Sequence, residues 1–194
     1  MKRAFDLIIS IIGLIMCSPV ILICAICIKL FDGGSIFYLA PRTGRYNRPF
    51  YMFKFRSMVL NADKIGASST TLSDPRITPI GRIIRKYKLD EIPQLINVFL
   101  GQMSIVGPRP EVKKFTDLYN DDEKRILNVK PGITDYASIW NSNEALLLEG
   151  SSDPDRLYFE KIRPQKIKLQ LQYINRNNIW IDFVIIVRTL IKLL

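Results

Sequence analysis

The chain has 194 residues, with 28 Lys and Arg against 18 Asp and Glu, a formal net charge of +10, and no histidine. This length suits one soluble domain plus a membrane attachment, and a hydrophobic content of 48% is ample for a core. Without an imidazole, proton transfer near neutral pH must rely on carboxylates, a metal, lysine or arginine. The positive charge predicts an anionic partner, but it does not choose among nucleic acid, acidic lipid headgroups and phosphorylated small molecules.

An apolar segment lies near the N-terminus. No charged residue occurs from Leu7 to Ile28, and as a helix this stretch would reach roughly 33 Å, enough to cross a bilayer. It is longer than the apolar part of a secretory signal, and no small-residue cleavage site follows it. We therefore expect residues 1–31 to form a retained membrane anchor. Its cysteines predict small apolar side chains instead of a disulfide framework or a zinc site: Cys17, Cys24 and Cys27.

Ser18-Pro19 lies in the middle of this segment, where proline removes a helical hydrogen bond and favours a kink. Positive residues flank both ends of the segment: Lys2, Arg3, Lys29, Arg42, Arg45 and Arg48. The positive-inside tendency holds both flanks in the cytoplasm, which predicts a re-entrant hairpin broken at Ser18-Pro19. An ordinary transmembrane helix with a tolerated proline remains open.

Two short strands are predicted next, at Ile36–Leu39 and Phe50–Phe55, joined by a turn. The alternation around the second strand places Lys54 and Arg56 on one face. That face could meet phosphate, or it could be the solvated face of an edge strand. The residues Asn61–Thr71 predict a short helical piece that passes into a polar loop.

A basic helical stretch, Ile80–Leu89, precedes the acidic pair Asp90 and Glu91. An apolar helical run follows, with Pro93 in its first turn. Carboxylates at a helix start often serve as caps, favoured by the helix dipole. The same position also suits phosphate and a hard divalent cation that bridges carboxylate and phosphate oxygens.

Further along the chain, Arg109 stands between Pro108 and Pro110. The two prolines hold its backbone near an extended conformation. This is an economical way to preorganise a guanidinium for bidentate contact with phosphate.

The last predicted element is an amphipathic helix at about residues 178–194. Apolar residues recur there at helical spacing, while Asp182, Arg188 and Lys192 interrupt any long apolar run. Trp180 would suit an anchor at a membrane surface. A helix packed into the core remains an equal alternative.

Six stretches of this chain, in this order, resemble the bacterial sugar transferase family, the monotopic phosphoglycosyl transferases, in its minimal single-domain form. The similarity runs from about residue 2 to about residue 140. The matching stretches are Ser18-Pro19, Lys54-Phe55-Arg56-Ser57-Met58, Asp74-Pro75-Arg76-Ile77-Thr78, Leu89-Asp90-Glu91, Met103-Ser104 with Val106-Gly107-Pro108-Arg109-Pro110, and Lys130-Pro131-Gly132-Ile133-Thr134.

The resemblance implies an α+β, mainly helical fold. Its parts would be a re-entrant helix-break-helix anchor at 1–31, a short β-hairpin, and interfacial helices around a compact cytoplasmic catalytic domain at 32–194. It also implies transfer of a phosphosugar from a UDP-sugar to polyprenyl phosphate, with release of UMP. This reaction would take place on the cytoplasmic face of the bacterial inner membrane, with no nucleic-acid partner.

The site residues follow from the same resemblance. The nucleophile maps onto Asp90 and its partner onto Glu91, which would deprotonate or orient the acceptor phosphate. Mg2+ would bind at Asp90, and the phosphates would lie near Lys54, Arg56, Arg85 and Arg109. A carboxylate nucleophile splits one difficult transfer into two steps through an acyl phosphate, so ping-pong kinetics are expected.

The chain departs from many relatives after Ile133-Thr134. They continue with glycine, tryptophan, alanine and glutamine, where this chain has Asp135-Tyr136-Ala137-Ser138. We expect this region to border the substrate, so the identity of the sugar stays open.

Two other classes of function remain. A non-catalytic, membrane-attached basic module that binds anionic lipids or phosphorylated ligands would explain the charge and the anchor. It makes no use of Asp90 and Glu91. A glycosidase would use paired carboxylates, but its two carboxyl groups flank a bond at about 5 to 9.5 Å, and adjacent residues seldom project that way.

Overall fold

The computed structural model describes residues 1–62, 65, 70–71 and 73–193. Within them the fold is mainly helical with two small sheets, and the helical piece predicted at 61–71 lies largely outside the described residues. The helices are α1 Lys2–Asp32, α2 Pro79–Lys86, α3 Gln94–Phe99, α4 Lys113–Thr116, α5 Tyr136–Trp140, α6 Glu144–Leu147, α7 Pro154–Leu157, α8 Arg163–Arg176 and α9 Ile179–Leu193. The strands are β1 Phe37–Thr43, β2 Pro49–Phe55, β3 Ser104–Val106 and β4 Gly132–Thr134.

The first helix, α1, is continuous over 31 residues, with Pro19 inside it. The helix is therefore not interrupted at Ser18-Pro19, which corrects the predicted helix-break-helix, and the kink predicted there stays a prediction. A proline has no N–H, so Pro19 leaves the carbonyl of Ile15 without its usual helical donor. The Ser18 hydroxyl donates to that carbonyl at 2.8 Å, which restores a partner and lets the helix continue.

Both ends of α1 pack against the rest of the chain. Near its start, buried Asp6 accepts a hydrogen bond from the Ser104 hydroxyl, which lies 2.9 Å from both carboxylate oxygens. Near its end, Ile28 is buried in a cluster with Phe55 and Ile84. By length and composition α1 could cross a membrane, yet only 11% of its most apolar stretch is buried. A core helix of a soluble protein would be covered, whereas α1 is attached at both ends and exposed along most of its apolar length.

The predicted hairpin is confirmed. Strands β1 and β2 pair antiparallel, and Tyr38, Ala40 and Arg42 stand opposite Lys54, Met52 and Phe50. Because side chains alternate across a strand, these six positions share one face of the hairpin. Ala40 and Met52 in its middle are buried in the main core, which leaves the charged positions at the two ends.

The second sheet is a parallel pair of strands, β3 and β4. Two glycines stand where the two backbone segments approach most closely. The Gly107 N–H donates to the carbonyl of Thr134, and the Gly132 N–H donates to the carbonyl of Pro108, both at 3.0 Å. A Cβ on Gly132 would stand 2.1 Å from the Gly107 nitrogen, so only glycine fits. This contact fixes the path of the backbone after β3 at Gly107, two residues before Arg109.

The C-terminal helix is confirmed as α9, and its two faces differ in burial. Ile185 and Asp182 are buried against the domain, while Trp180, Phe183 and Ile191 are exposed. An exposed apolar face beside a packed one fits an interfacial helix, and that role stays a prediction. The main core brings α9 together with the hairpin and the β3 region: Ala40, Met52, Val98, Met103, Ile105, Val106, Tyr173 and Ile185.

Candidate active site

The acidic pair lies in a single turn of 3-10 helix, Leu89–Glu91, between α2 and α3. The turn follows Lys88, whose left-handed backbone (φ 56°, ψ 20°) is uncommon for a residue other than glycine. α3 begins after Pro93 without a side-chain capping hydrogen bond. The capping explanation of the pair therefore fails, because its carboxylates contact other side chains.

Three separate segments meet at these carboxylates. Lys54 Nζ, from β2, lies 3.4 Å from Asp90 Oδ2 and 3.2 Å from Glu91 Oε1. Arg109, from the segment after β3, forms an ion pair with the same Glu91 oxygen. Asp90 is buried, whereas Lys54, Glu91 and Arg109 each keep part of their side chain exposed. The structure thus brings together four of the predicted site residues.

Arg109 is held at both its side chain and its backbone. Its Nη1 donates to the carbonyl of Ile133 at 3.0 Å, and its backbone N–H donates to Asp135 Oδ2 at 3.2 Å. The same carboxylate accepts from Gln170 Nε2 at 3.2 Å and from the Ser138 N–H and hydroxyl at 2.6 and 2.7 Å. Asp135 is fully buried, and its contacts indicate support for Arg109. The expectation that the region after Ile133-Thr134 borders the substrate stays a prediction.

The charges of this cluster favour ionised Glu91. Burial by itself would raise the pKa of Glu91, but the charges of Arg109 and Lys54 outweigh it, and the pKa lies well below the usual 4.5. Burial lowers the pKa of Arg109, while Glu91 and Asp135 raise it more, so the net shift is upward. Such a carboxylate is a weak proton acceptor near neutral pH and serves better as a fixed negative charge.

Arg42 lies near the charges of this cluster, whereas the sequence interpretation treated it only as a flanking positive charge. Burial lowers the pKa of its guanidinium, as does the positive charge of Arg109, while Tyr38, Glu111 and Glu91 act in the opposite direction. Arg42 shares its hairpin face with Lys54. The alternation of side chains along β1 can be predicted from the sequence, but the register between β1 and β2 was needed to place Arg42 on the face that carries Lys54.

Two other predicted phosphate ligands make contacts elsewhere. Buried Arg56 donates through Nε to the carbonyl of Ser35 at 2.6 Å, close to the end of α1. Arg85, on α2, lies near Asp74, whose pKa is lowered mainly by its hydrogen bond with Arg76 and slightly by Arg85. Their predicted part in phosphate binding stays a prediction.

The carboxylates present suit only a sparsely ligated metal. Among the described residues no three or more His, Cys, Asp or Glu side chains form a group that could hold a metal ion. Mg2+ does not need such a cage, since it commonly keeps several waters and binds through one or two carboxylates plus substrate phosphates. Asp90 with Glu91 beside it fits that pattern, and Mg2+ at Asp90 stays a prediction.

The chain matches the family model described as bacterial sugar transferase over residues 1–194. It is 34% identical over 192 residues to the UDP-N-acetylgalactosamine-undecaprenyl-phosphate N-acetylgalactosaminephosphotransferase of Aeromonas hydrophila, covering 97% of this chain and 42% of that protein. It is 39% identical over 196 residues to the undecaprenyl-phosphate glucose phosphotransferase of Komagataeibacter xylinus, covering 97% of this chain and 35% of that protein. It is 34% identical over 194 residues to the uncharacterized sugar transferase EpsL of Bacillus subtilis, covering 100% of this chain and 87% of that protein.

The chain therefore spans about two fifths of the first two relatives and most of the third. The first two are named for the same acceptor, undecaprenyl phosphate, and for different sugars. Their names leave the sugar used by this chain open.

Proposed function

Because the chain belongs to the bacterial sugar transferase family, we propose that it transfers a phosphosugar from a UDP-sugar to polyprenyl phosphate and releases UMP. Relatives named as undecaprenyl-phosphate sugar phosphotransferases support this class of reaction. The observation that carries the proposal is the buried carboxylate of Asp90, in contact with Lys54 and next to the Glu91–Arg109 ion pair. The polyprenyl acceptor is undecaprenyl phosphate, as in the names of these relatives.

The reaction proceeds in two displacements at one phosphorus atom. In the first, an oxygen of Asp90 attacks the phosphorus that bears the sugar, and the bond from that phosphorus to the UMP oxygen breaks with its electron pair leaving on UMP. In the second, an oxygen of polyprenyl phosphate attacks the same phosphorus, and the Asp90 carboxylate leaves. The acyl phosphate formed between the two steps makes the kinetics ping-pong.

The neighbouring cations offset the charge on the transferring phosphates. Lys54 and Arg109 already meet at the acidic pair, and Arg42 adds a third positive charge beside them. Phosphoryl transfer depends mainly on positioning and on charge neutralisation, which this group supplies. Mg2+, when bound at Asp90, would further neutralise the phosphate oxygens.

Glu91 acts as an orienting group and not as the base. The second pKa of a phosphate monoester is about 6, so the acceptor phosphate is largely dianionic near neutral pH and needs no deprotonation. The low pKa of Glu91 agrees with this role. A bound diphosphate competes with Glu91 for Arg109 and Lys54, so Glu91 positions these cations before the donor binds.

The anchor keeps the site at the cytoplasmic surface of the inner membrane, where a water-soluble UDP-sugar and a lipid phosphate can both reach it. Lys2 donates to the carbonyl of Val106 at 3.1 Å and forms an ion pair with buried Asp182, which ties the start of α1 to the domain. The end of α1 packs on the same domain around Ile28. Two ends on one domain support a re-entrant path, in which α1 stays helical, bends at Pro19 and does not cross the bilayer.

Topology is testable by labelling from outside. The natural cysteines are replaced by serine, and a single cysteine is placed at exposed Ala4. A membrane-impermeant thiol reagent should leave Ala4→Cys unlabelled in intact cells and label it after the membrane is opened. The matched control is Lys161→Cys, at an exposed position of the catalytic domain, which should behave identically. Labelling of Ala4→Cys alone in intact cells would establish a crossing helix.

The reaction is testable with extracted protein, Mg2+, polyprenyl phosphate and a panel of UDP-sugars. UMP release should occur with one or a few sugars and be lost in Asp90→Asn, because an amide is a poor nucleophile. The control variant Asp117→Asn removes an exposed carboxylate and should keep activity. Full activity of Asp90→Asn would overturn the proposed role of this residue.

A further inference from the structure

A second group of cations lies at the start of α1, around Gly101. A Cβ on Gly101 would stand 3.3 Å from Arg3 Nη2 and 3.6 Å from Lys130 Nζ, so both cations border the same small space. Gly101 has a left-handed backbone (φ 81°), which favours glycine and leaves that space free of a side chain. Arg45 approaches from the hairpin turn, where its Nε donates to the carbonyl of Asn128 at 2.9 Å.

Each of these positive charges makes it less favourable for its neighbours to be protonated. The pKa of Lys130 is lowered by burial and then by the charges of Arg3 and Arg45, with Asp6 acting in the opposite direction. Asp6 is engaged elsewhere, since it accepts from Ser104 and from the backbone of the next residue. Within the described part of the chain, Lys130 makes no ion pair with a carboxylate. Like charges gathered without a counterion create a ready site for an anion.

A structural role explains only part of this group. Arg3 donates to the carbonyls of Val98 and Phe99 at 2.6 and 2.8 Å, so it satisfies the end of α3, as cations near helix C-termini often do. That role does not require Lys130, which is held in place by the rigid start of β4. The next residue, Pro131, accepts a hydrogen bond from the Ser104 N–H at 2.8 Å.

The surface next to these cations is apolar and exposed. Phe99 and Leu100, which directly precede Gly101, are 45% and 56% exposed. Exposed apolar side chains beside fixed cations match the level of a bilayer where headgroups meet acyl chains. The neighbourhood therefore favours an anionic lipid over a soluble anion.

We propose that Arg3, Lys130 and Arg45 bind the phosphodiester of an anionic phospholipid headgroup, with Phe99 and Leu100 against the upper part of its acyl chains. The group is distinct from the candidate active site. The charges that act on Lys130 are Arg3, Asp6 and Arg45, and those that act on Glu91 are Arg109, Lys54 and Lys88. The proposal depends on membrane attachment through α1 and does not depend on the proposed reaction.

The test is native mass spectrometry of the detergent-extracted full chain, titrated with phosphatidylglycerol or with phosphatidylcholine. The first phosphatidylglycerol should bind more tightly than the first phosphatidylcholine. Lys130→Gln should weaken that first binding up to about fivefold, equivalent to about 1 kcal/mol for one cation near a lipid headgroup. Arg45→Gln, a change at an exposed side chain, should weaken it in the same direction. Lys113→Gln, which removes an exposed cation paired with Asp117, should leave it unchanged.

Three results would overturn the proposal. The first is equal binding of the two lipids by the natural chain. The second is unchanged phosphatidylglycerol binding in both Lys130→Gln and Arg45→Gln. The third is displacement of phosphatidylglycerol by inorganic phosphate at an ionic strength where chloride has no effect, which would assign the site to a soluble phosphate. UMP release is measured on the same variants, so that a failure of the lipid site is distinguished from a failure of the proposed reaction.

Discussion

Replacing Asp135 by alanine should lower the free energy of unfolding by about 3–5 kcal/mol. The buried carboxylate accepts hydrogen bonds from the N–H of Arg109, the amide of Gln170, and the N–H and hydroxyl of Ser138. Losing the cap on α5 costs about 1 kcal/mol. The variant leaves the Arg109 N–H and one N–H of the Gln170 amide buried without an acceptor, at about 1–3 kcal/mol each. The other Gln170 N–H keeps the carbonyl of Arg109, at 3.4 Å. The cap at about 1 kcal/mol and about 1–2 kcal/mol for each of the two orphaned donors together give the expected loss of about 3–5 kcal/mol.

The measurement is urea unfolding of the detergent-extracted protein. Asp135→Asn should lose less, about 1–2 kcal/mol, because the buried Gln170 Oε1 has no hydrogen-bond partner among the described residues and can accept from the new amide. UMP release by Asp135→Asn should still fall, since Arg109 loses the acceptor that positions its backbone. The control Asp117→Ala removes an exposed carboxylate and should cost about 0.3–0.5 kcal/mol. An Asp135→Ala loss as small as this control would refute the reasoning.

Three further variants test other parts of the account. Glu91→Gln should keep part of UMP release. Its loss of unfolding free energy relative to the natural chain should be constant above about pH 4.5, the usual pKa, and should shrink as the pH falls toward the lower pKa of the folded state. A loss that does not change with acid pH in urea unfolding would contradict the depressed pKa. Arg42→Gln should raise KM for the UDP-sugar in steady-state assays more than it lowers kcat, with partial rescue by Arg42→Lys, and an unchanged KM would remove Arg42 from the site. Asp6→Asn should lower the melting temperature, because it weakens the charge-assisted hydrogen bonds from the Ser104 hydroxyl and the Ile105 N–H, each worth about 1.5–3 kcal/mol. An unchanged melting temperature would show that the start of α1 is held by other contacts.

Local patterns in the sequence predicted much of this fold. Alternation predicted the hairpin, and helical spacing predicted α9 to within a residue or two. The rule that proline breaks a helix predicted an interruption at Pro19 that is absent, because the Ser18 hydroxyl compensates for the missing N–H. A short-range rule failed there since a neighbouring side chain supplied the lost partner.

The residues of the candidate site also differ in whether local sequence could predict them. The acidic pair, Lys54 and Arg109 were predicted through a resemblance of ordered motifs, and the structure brings them together. The position of Arg42 near this cluster and the support of Arg109 by Asp135 were not predicted, because they depend on strand register and on contacts between segments far apart in sequence. Composition and periodicity carry no information about such pairings.

The most direct test of the central claim is the intact mass of the protein after incubation with a UDP-sugar and Mg2+ in the absence of any acceptor lipid. The account predicts a mass increase of one phosphosugar per chain, located on Asp90, together with one equivalent of UMP, and neither in Asp90→Asn. Rapid turnover on later addition of polyprenyl phosphate should remove the adduct. UMP release that requires the acceptor, with no adduct at any time, would contradict a covalent intermediate on Asp90.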